Sequence, residues 1–402
     1  MDESYNYSMW VELYNPSNTT AYNQINFYFT DDLTQPKKWR PLSKLINARG
    51  YNILWFESSD KSGHASFKLE PGGGTLYMFN TNEQLVDLVV YPAQYRNTSY
   101  DRKTDGSNEW VFFTDHSAGK TNNGKKYAAE QCSKPEFNTP GGFYKNPITI
   151  SLASPMTGDT IYYTRDGAEP TRSHTLYTPG SVIGINNTSI VPARGFSGNK
   201  PASDIVSNTY FINERNFKLP VVSIITEQKN LTDNTIGIYV QGTNGITGNG
   251  MNTPANWNQD WWRPANFELY DTTLTARLNQ ELDIQIAGGW TRMNGQKTLK
   301  INPRNKFGKN MLNYDIFAAT KPNMKYRSIL FRNSGNDFDH SMMRDGFMQS
   351  LVMKRMNLDY IAYEPAVCFM NGVYYGIKNL RERTDEDFVY SNYGYEEEEI
   401  KH

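Results

Sequence analysis

The sequence predicts a multidomain, mainly β protein: two all-β sandwiches followed by a region that mixes helix and strand. Three observations carry this. The first half is filled by short alternating runs separated by turn residues, such as "WVELYNPS", "INFYFTDD" and "QLVDLVVYP". The 402 residues exceed one ordinary domain. Beyond about residue 213 a helical apolar period joins the strand pattern.

Residues 1 to 118 read as the first sandwich. Its runs stop at Asn15-Pro16-Ser17 and Asp31-Asp32, and Gly72-Gly73-Gly74 marks a tight reversal between two alternating stretches. Residues 119 to 133, "GKTNNGKKYAAEQCS", are polar and irregular and read as a linker. Residues 134 to 213 carry a second strand series, from "PEFNTPGGFY" to "SDIVSNTYFI", long enough for one small sandwich.

Residues 214 to 402 change character. Strand-like runs ("IGIYV", "ANFELYD", "ELDIQIAGG", "KTLKIN", "SILFRNS") accompany a helix predicted over 339 to 356. There Met343, Phe347 and Leu351 recur at four-residue spacing, with Met348 and Val352 beside them. Asp337 and Asp339 precede this helix and suit its cap. Asn371-Gly372 reads as the turn of a hairpin. The acidic run Glu396 to Glu399 reads as a solvated helix start.

Charge balances at 41 Lys+Arg against 42 Asp+Glu, which argues against a dedicated nucleic-acid binder or a polybasic membrane binder. No apolar run approaches the roughly 18 residues of a membrane helix. No signal-peptide pattern opens the chain. Cys132 and Cys368 read as two free thiols. The sequence holds no P-loop, HExxH or GxSxG pattern, and its five histidines are scattered without ligand spacing, so no metal ligand is assigned.

One stretch is out of keeping with its pattern. In "WTRMNGQKTLKI", residues 290 to 301, strand alternation puts Lys297 on the face of Leu299 and Ile301, with Thr298 and Lys300 on the other. A buried ammonium is costly without a partner.

Resemblances organise these readings. "WVELYNPS", "FTDD", "FKLEPGGGTLYMFN" and "LVDLVVY" resemble the lamin-tail domain, an immunoglobulin-like sandwich of many bacterial exported proteins; its usual first strand is not evident ahead of "WVELYN". "FNTPGGFY", "IYYTRDGAEPT" and "ARGFSGNKPAS" resemble the small sandwich attached to chitobiases and other exported glycan enzymes. "GGWTRMNGQKTLKI", "FGKNMLNYDIF", "LFRNSGND", "MMRD" and "NGVYYGIKNLRERTDEDF" resemble the CotH family of atypical, spore-coat-type protein kinases. This last resemblance implies an α+β kinase-like domain, incomplete at its C-terminal end, that uses ATP and magnesium to phosphorylate protein Ser/Thr.

Residue by residue, it makes Lys297 the nucleotide lysine, Arg292 an arginine near it and Glu382 the lysine's acidic partner, leaving Lys300 as a bystander on the solvent side. The family's catalytic base and magnesium ligands belong downstream of "RERTD", so no catalytic residue is assigned here and the chain as given is expected to be inactive. Other readings stay open. Lys297 could be a structural lysine, Arg292 a loop brace, Glu382 a surface charge and Asp345 a salt-bridge residue, while Gly288-Gly289 fits a tight turn as well as a phosphate loop. The protein as a whole could instead be a surface glycan- or protein-binding or structural protein, with Trp257, Trp261 and Trp262 stacking on sugars or packing on the core. Either way the first two resemblances imply an extracellular or cell-surface location.

Overall fold

The computed structural model describes residues 8–56, 63–95, 98–114, 116–123, 127–128, 131–198, 200–248, 251–353, 355–395 and 399–400. Glu396, Glu397 and Glu398 of the acidic run, and His402, lie outside the described residues. The chain divides into two compact units: residues 1–133, 156–159 and 195–204 form one, and 134–155, 160–194 and 205–402 the other.

In the first unit, Met9–Tyr14 pairs antiparallel with Tyr51–Phe56, and Phe27–Thr30, Gly74–Asn80 and Leu85–Tyr91 form a separate sheet in that order. Alternation works as the sequence predicts: Asn52, Leu54 and Phe56 turn inward while Tyr51, Ile53 and Trp55 do not. Leu54 and Phe56 from one sheet and Phe29 and Leu76 from the other share a core with Phe67. That is a sandwich. Gly73 makes the predicted reversal at φ 109°, where a Cβ would stand 3.0 Å from the Tyr91 carbonyl oxygen. Within the stretch read as a linker, Tyr127–Ala128 pairs with Phe112 and Phe113.

The second unit opens with a small sandwich. A five-stranded sheet contains Gly142–Tyr144, Thr160–Tyr163, Thr175–Tyr177, Ser189–Phe196 and Val206–Ile212. A two-stranded sheet of Ile148–Ile150 and Ile183–Ile185 completes its core through Ile150, Ile185, Val191 and Tyr210.

The rest of that unit is a closed seven-stranded barrel. Its strands are β1 (Val221–Ile225), β2 (Arg263–Tyr270), β3 (Ala276–Ala287), β4 (Thr298–Asn302), β5 (Ile329–Arg332), β6 (Tyr363–Met370) and β7 (Val373–Arg381). The order is β1-β2-β3-β4-β5-β7-β6, and β6 returns to pair parallel with β1. Closure removes open strand edges. Leu282, Ile284, Leu299, Ile301, Phe331 and Leu380 are fully buried and fill the interior. The β6–β7 turn is the predicted Asn371-Gly372, both at positive φ as a type I′ turn requires.

The barrel and the small sandwich share aromatic packing. Phe143 stacks on Phe211 with ring centroids 4.2 Å apart, and Phe211 meets Tyr270 and Phe369 edge to face.

Among the short helices outside the barrel strands are α1 (Arg344–Val352) and α2 (Glu386–Tyr393). α1 is half the length the spacing predicts. Its start is set by the Asp337 carboxylate, which accepts the N–H groups of Met343 and Arg344, and by Met342, whose φ of 57° cannot continue a helix. The apolar stripe is real but does not face the core: Phe347 and Met348 are more than half exposed. The buried residue of α1 is Gly346, where a Cβ would stand 2.5 Å from the Tyr363 ring. The helix therefore docks on β6 through its glycine.

Candidate functional site: a cleft on the outer face of the barrel

Strand pleating gives the barrel wall two faces. On β4, Leu299 and Ile301 point inward, so Thr298, Lys300 and Asn302 point outward. Across the ladder, Lys300 stands opposite Leu330 of β5, which itself stands opposite Arg381 of β7. Over this outer face lies a cleft of about 650 Å³. Its floor is Thr298, Leu330 and Arg332; its walls are the β3–β4 turn at Gly288–Thr291, the loop Ser334–Asp337 and the start of α1 at Arg344 and Asp345. Gly288 holds φ at 94° in that turn, a conformation a side chain would strain.

The cleft is lined by charge. Arg332 lies 3.2 Å from the Asp345 carboxylate, which also holds the buried Arg381. Arg344 lies 3.2 Å from Asp337. The Ser341 hydroxyl, aided by backbone N–H groups, holds the Asp337 carboxyl well below the usual range, at about 2. Both carboxylates are thus occupied, Asp337 by a helix start and Asp345 by two guanidinium groups. The cations are more available, with the Arg332 side chain 35% exposed and that of Arg344 68%. A site of this kind suits an anion with several oxygens. It does not suit magnesium, which needs free carboxylate oxygens. Among the described residues no group of three or more His, Cys, Asp or Glu could hold a metal ion.

Lys297, Arg292 and Glu382, which the resemblance assigns to the nucleotide, fall outside this lining. Lys297 is buried and inward-facing, as its parity predicts. Its Nζ donates to the carbonyls of Arg292 at 2.6 Å and Asn294 at 3.0 Å and lies 4.2 Å from the centre of the Trp257 ring. Burial, then the nearby Lys378 charge, pushes its pKa down to about 8.

Glu382 is not its partner. That carboxylate accepts from Lys321 at 3.1 Å, from the Ala362 N–H at 2.9 Å and from Asn392 at 2.9 Å. The reason is axial position. Lys378 of β7 donates to the Lys297 carbonyl, and Glu382 lies four residues further along the same strand direction. At about 3.3 Å per residue, that is roughly 13 Å away.

Arg292 donates to the carbonyls of Gly288, Trp257 and Asn258 and lies 3.9 Å from Asp260. It braces the turn that walls the cleft and does not line it. Lys300 is not a solvent-side bystander: its side chain is 13% exposed, 3.6 Å from Asp385 and 3.7 Å from Asp387. The three tryptophans pack on the protein: Trp257 on Lys297, Trp261 buried beside Arg263, and Trp262 under Arg304.

The cleft itself escaped the sequence reading. The signal in hand was Gly288-Gly289, which fits a phosphate loop as well as a tight turn and which walls the cleft. Asp345, read as a salt-bridge residue, bridges Arg332 and Arg381.

Every lining element of the cleft falls within residues 284–401. That span matches the family model described as CotH kinase protein. Residues 139–207 match the chitobiase/beta-hexosaminidase C-terminal domain. No curated protein matches the chain. The CotH match opens within β3 and takes in Lys297, Lys300, Arg332, Arg344, Asp345 and Glu382. β1 and β2, which close the barrel behind it, precede the matched span.

Proposed function

We propose that the cleft binds the phosphate groups of ATP and that the CotH-matching segment serves phosphoryl transfer to protein Ser/Thr. The observation that carries this is one groove lined by two arginine side chains, Arg332 and Arg344, together with a glycine turn. Planar guanidinium groups suit phosphate oxygens, and glycine lets backbone N–H groups approach them. The kinase family matched by this segment supports ATP as the anion. Calorimetric titration of the chain with ATP, with and without magnesium, tests the reading. Binding that weakens in Arg332→Ala and in Arg344→Ala is expected; no binding under either condition overturns it.

A second reading is favoured by the occupied carboxylates Asp337 and Asp345: a CotH-like domain that binds partners at a surface without transferring phosphate. Titration with ATP separates the two, since this reading expects a partner at the surface and no nucleotide in the cleft. Both readings place the protein at the cell surface, with the chitobiase-type domain match as support. Recovery of the native protein in a cytosolic fraction would remove that placement.

A further inference from the structure

Lys297 and Lys300 lie three residues apart, so pleating sends them to opposite sides of one sheet. Lys297 directs its ammonium to two carbonyls of the β3–β4 turn. Lys300 shares the outer face with Thr298, two residues before it, and faces Leu330 across the ladder; both of those residues line the cleft. It therefore stands on the sheet row between the cleft and α2.

Two carboxylates hold it from the α2 side. The Lys300 Nζ is 3.6 Å from Asp385 Oδ2 and 3.7 Å from Asp387 Oδ2. Both distances exceed hydrogen-bond length, so the carboxylates orient the ammonium by charge without taking its three N–H donors. They are fixed in turn. Asp385 accepts the Phe388 N–H as the cap of α2 and lies 3.4 Å from Arg383, and Asp387 accepts the Ser328 hydroxyl. A strand lysine, oriented by acidic groups on a helix, beside a groove with two more cations, is an arrangement that can grip phosphate.

We infer that Lys300, not Lys297, is the lysine that meets the phosphates in the cleft, with Asp385 and Asp387 as its positioning residues. Lys297 acts at one remove, by tying the carbonyls of Arg292 and Asn294 and so fixing the turn that walls the groove. A flexible four-carbon stem lets the Lys300 ammonium swing from the carboxylates toward a bound anion. The inference rests on the nucleotide reading above.

An acyl-phosphate derivative of ATP, which transfers its acyl group to an amine lying against the phosphates, tests this on the full chain. The expected result is acylation of Lys300, blocked by excess ATP and located by peptide mass spectrometry. Alongside it, Lys300→Met should weaken ATP binding on the order of tenfold or more, and Lys300→Arg should restore most of it. Acylation of Lys297 in place of Lys300, or a Lys300→Met chain that binds ATP as well as the unaltered one, overturns the inference and leaves the nucleotide reading standing. No ATP binding by the unaltered chain overturns both.

Discussion

Lys378 donates from its Nζ to the main-chain carbonyl of Lys297 at 2.6 Å, inside the barrel. Two ammonium groups thus share one end of the interior, and the partners around them are carbonyls, the Tyr239 hydroxyl and aromatic faces. Burial pushes each pKa down to about 8, and the charge of Lys378 adds to the effect on Lys297. The folded chain therefore binds fewer protons than the unfolded chain between about 8 and the ordinary value of 10.5. The contribution of these groups to stability rises with pH across that window and is smallest below it. Lys378→Met removes one of the two titrations. The urea midpoint of the unaltered chain should gain on that of the variant between pH 8 and pH 10. A constant gap would contradict the lowered pKa.

Glu268 of β2 carries the opposite sign. It is fully buried where the barrel meets the small sandwich and accepts the Thr209 N–H at 2.9 Å. Burial raises its pKa to about 7 from the ordinary 4.5. The stability it contributes is complete below 4.5 and is lost as pH climbs through 7. Glu268→Gln keeps the acceptor and removes the charge. The variant's unfolding midpoint should fall less, or rise more, than that of the unaltered chain as pH climbs from 4.5 to about 7. Parallel curves would show that Glu268 does not titrate in this window.

Much of this architecture is written in local pattern. Alternation in Tyr51–Phe56, the Asn371-Gly372 turn and the inward parity of Lys297 all follow from side-chain period and turn chemistry. What escaped is non-local. Barrel closure pairs Val221 with Val367, strands that no neighbouring residues link. The period in α1 announces a helix face but not its direction, so Phe347 and Met348 point outward while Gly346 makes the contact. Parity likewise puts Glu382 inside without fixing its level along the barrel, which is why Lys321 and not Lys297 meets it. The carboxylates that hold Lys300 come from a helix 85 residues later, beyond any local signal.

Asp345 bridges Arg332 and Arg381. Asp345→Asn removes the charge that holds both guanidinium groups, one of them buried. Loss of charge-assisted hydrogen bonds should cost about 1–3 kcal/mol of stability. Anion binding should move the other way or hold steady, because the cleft gains net positive charge and Arg332 is released. Chemical denaturation and ATP titration of the same preparation give both numbers. Equal losses in stability and in ATP affinity would mean that Asp345 orients Arg332 for binding and does not compete for it.

The last expectation concerns which lysine Glu382 serves. Its carboxylate contacts Lys321 at 3.1 Å, and the Lys321 ammonium also lies 4.3 Å from the centre of the Phe388 ring. Removing one member of a buried pair leaves the other uncompensated, so Glu382→Ala should destabilise the chain by roughly 3–5 kcal/mol. That loss alone does not identify the partner; a double-mutant cycle does. Glu382→Gln combined with Lys321→Met should show coupling of about 0.5–3 kcal/mol, because the two side chains touch. Glu382→Gln combined with Lys297→Met should be additive within about 0.5 kcal/mol, because roughly 13 Å of strand separates them. Strong coupling to Lys297 would restore the pairing that the CotH resemblance implies and remove the axial separation as the reason against it. Additivity would leave Lys297 a lysine of the barrel interior, held by turn carbonyls rather than by Glu382.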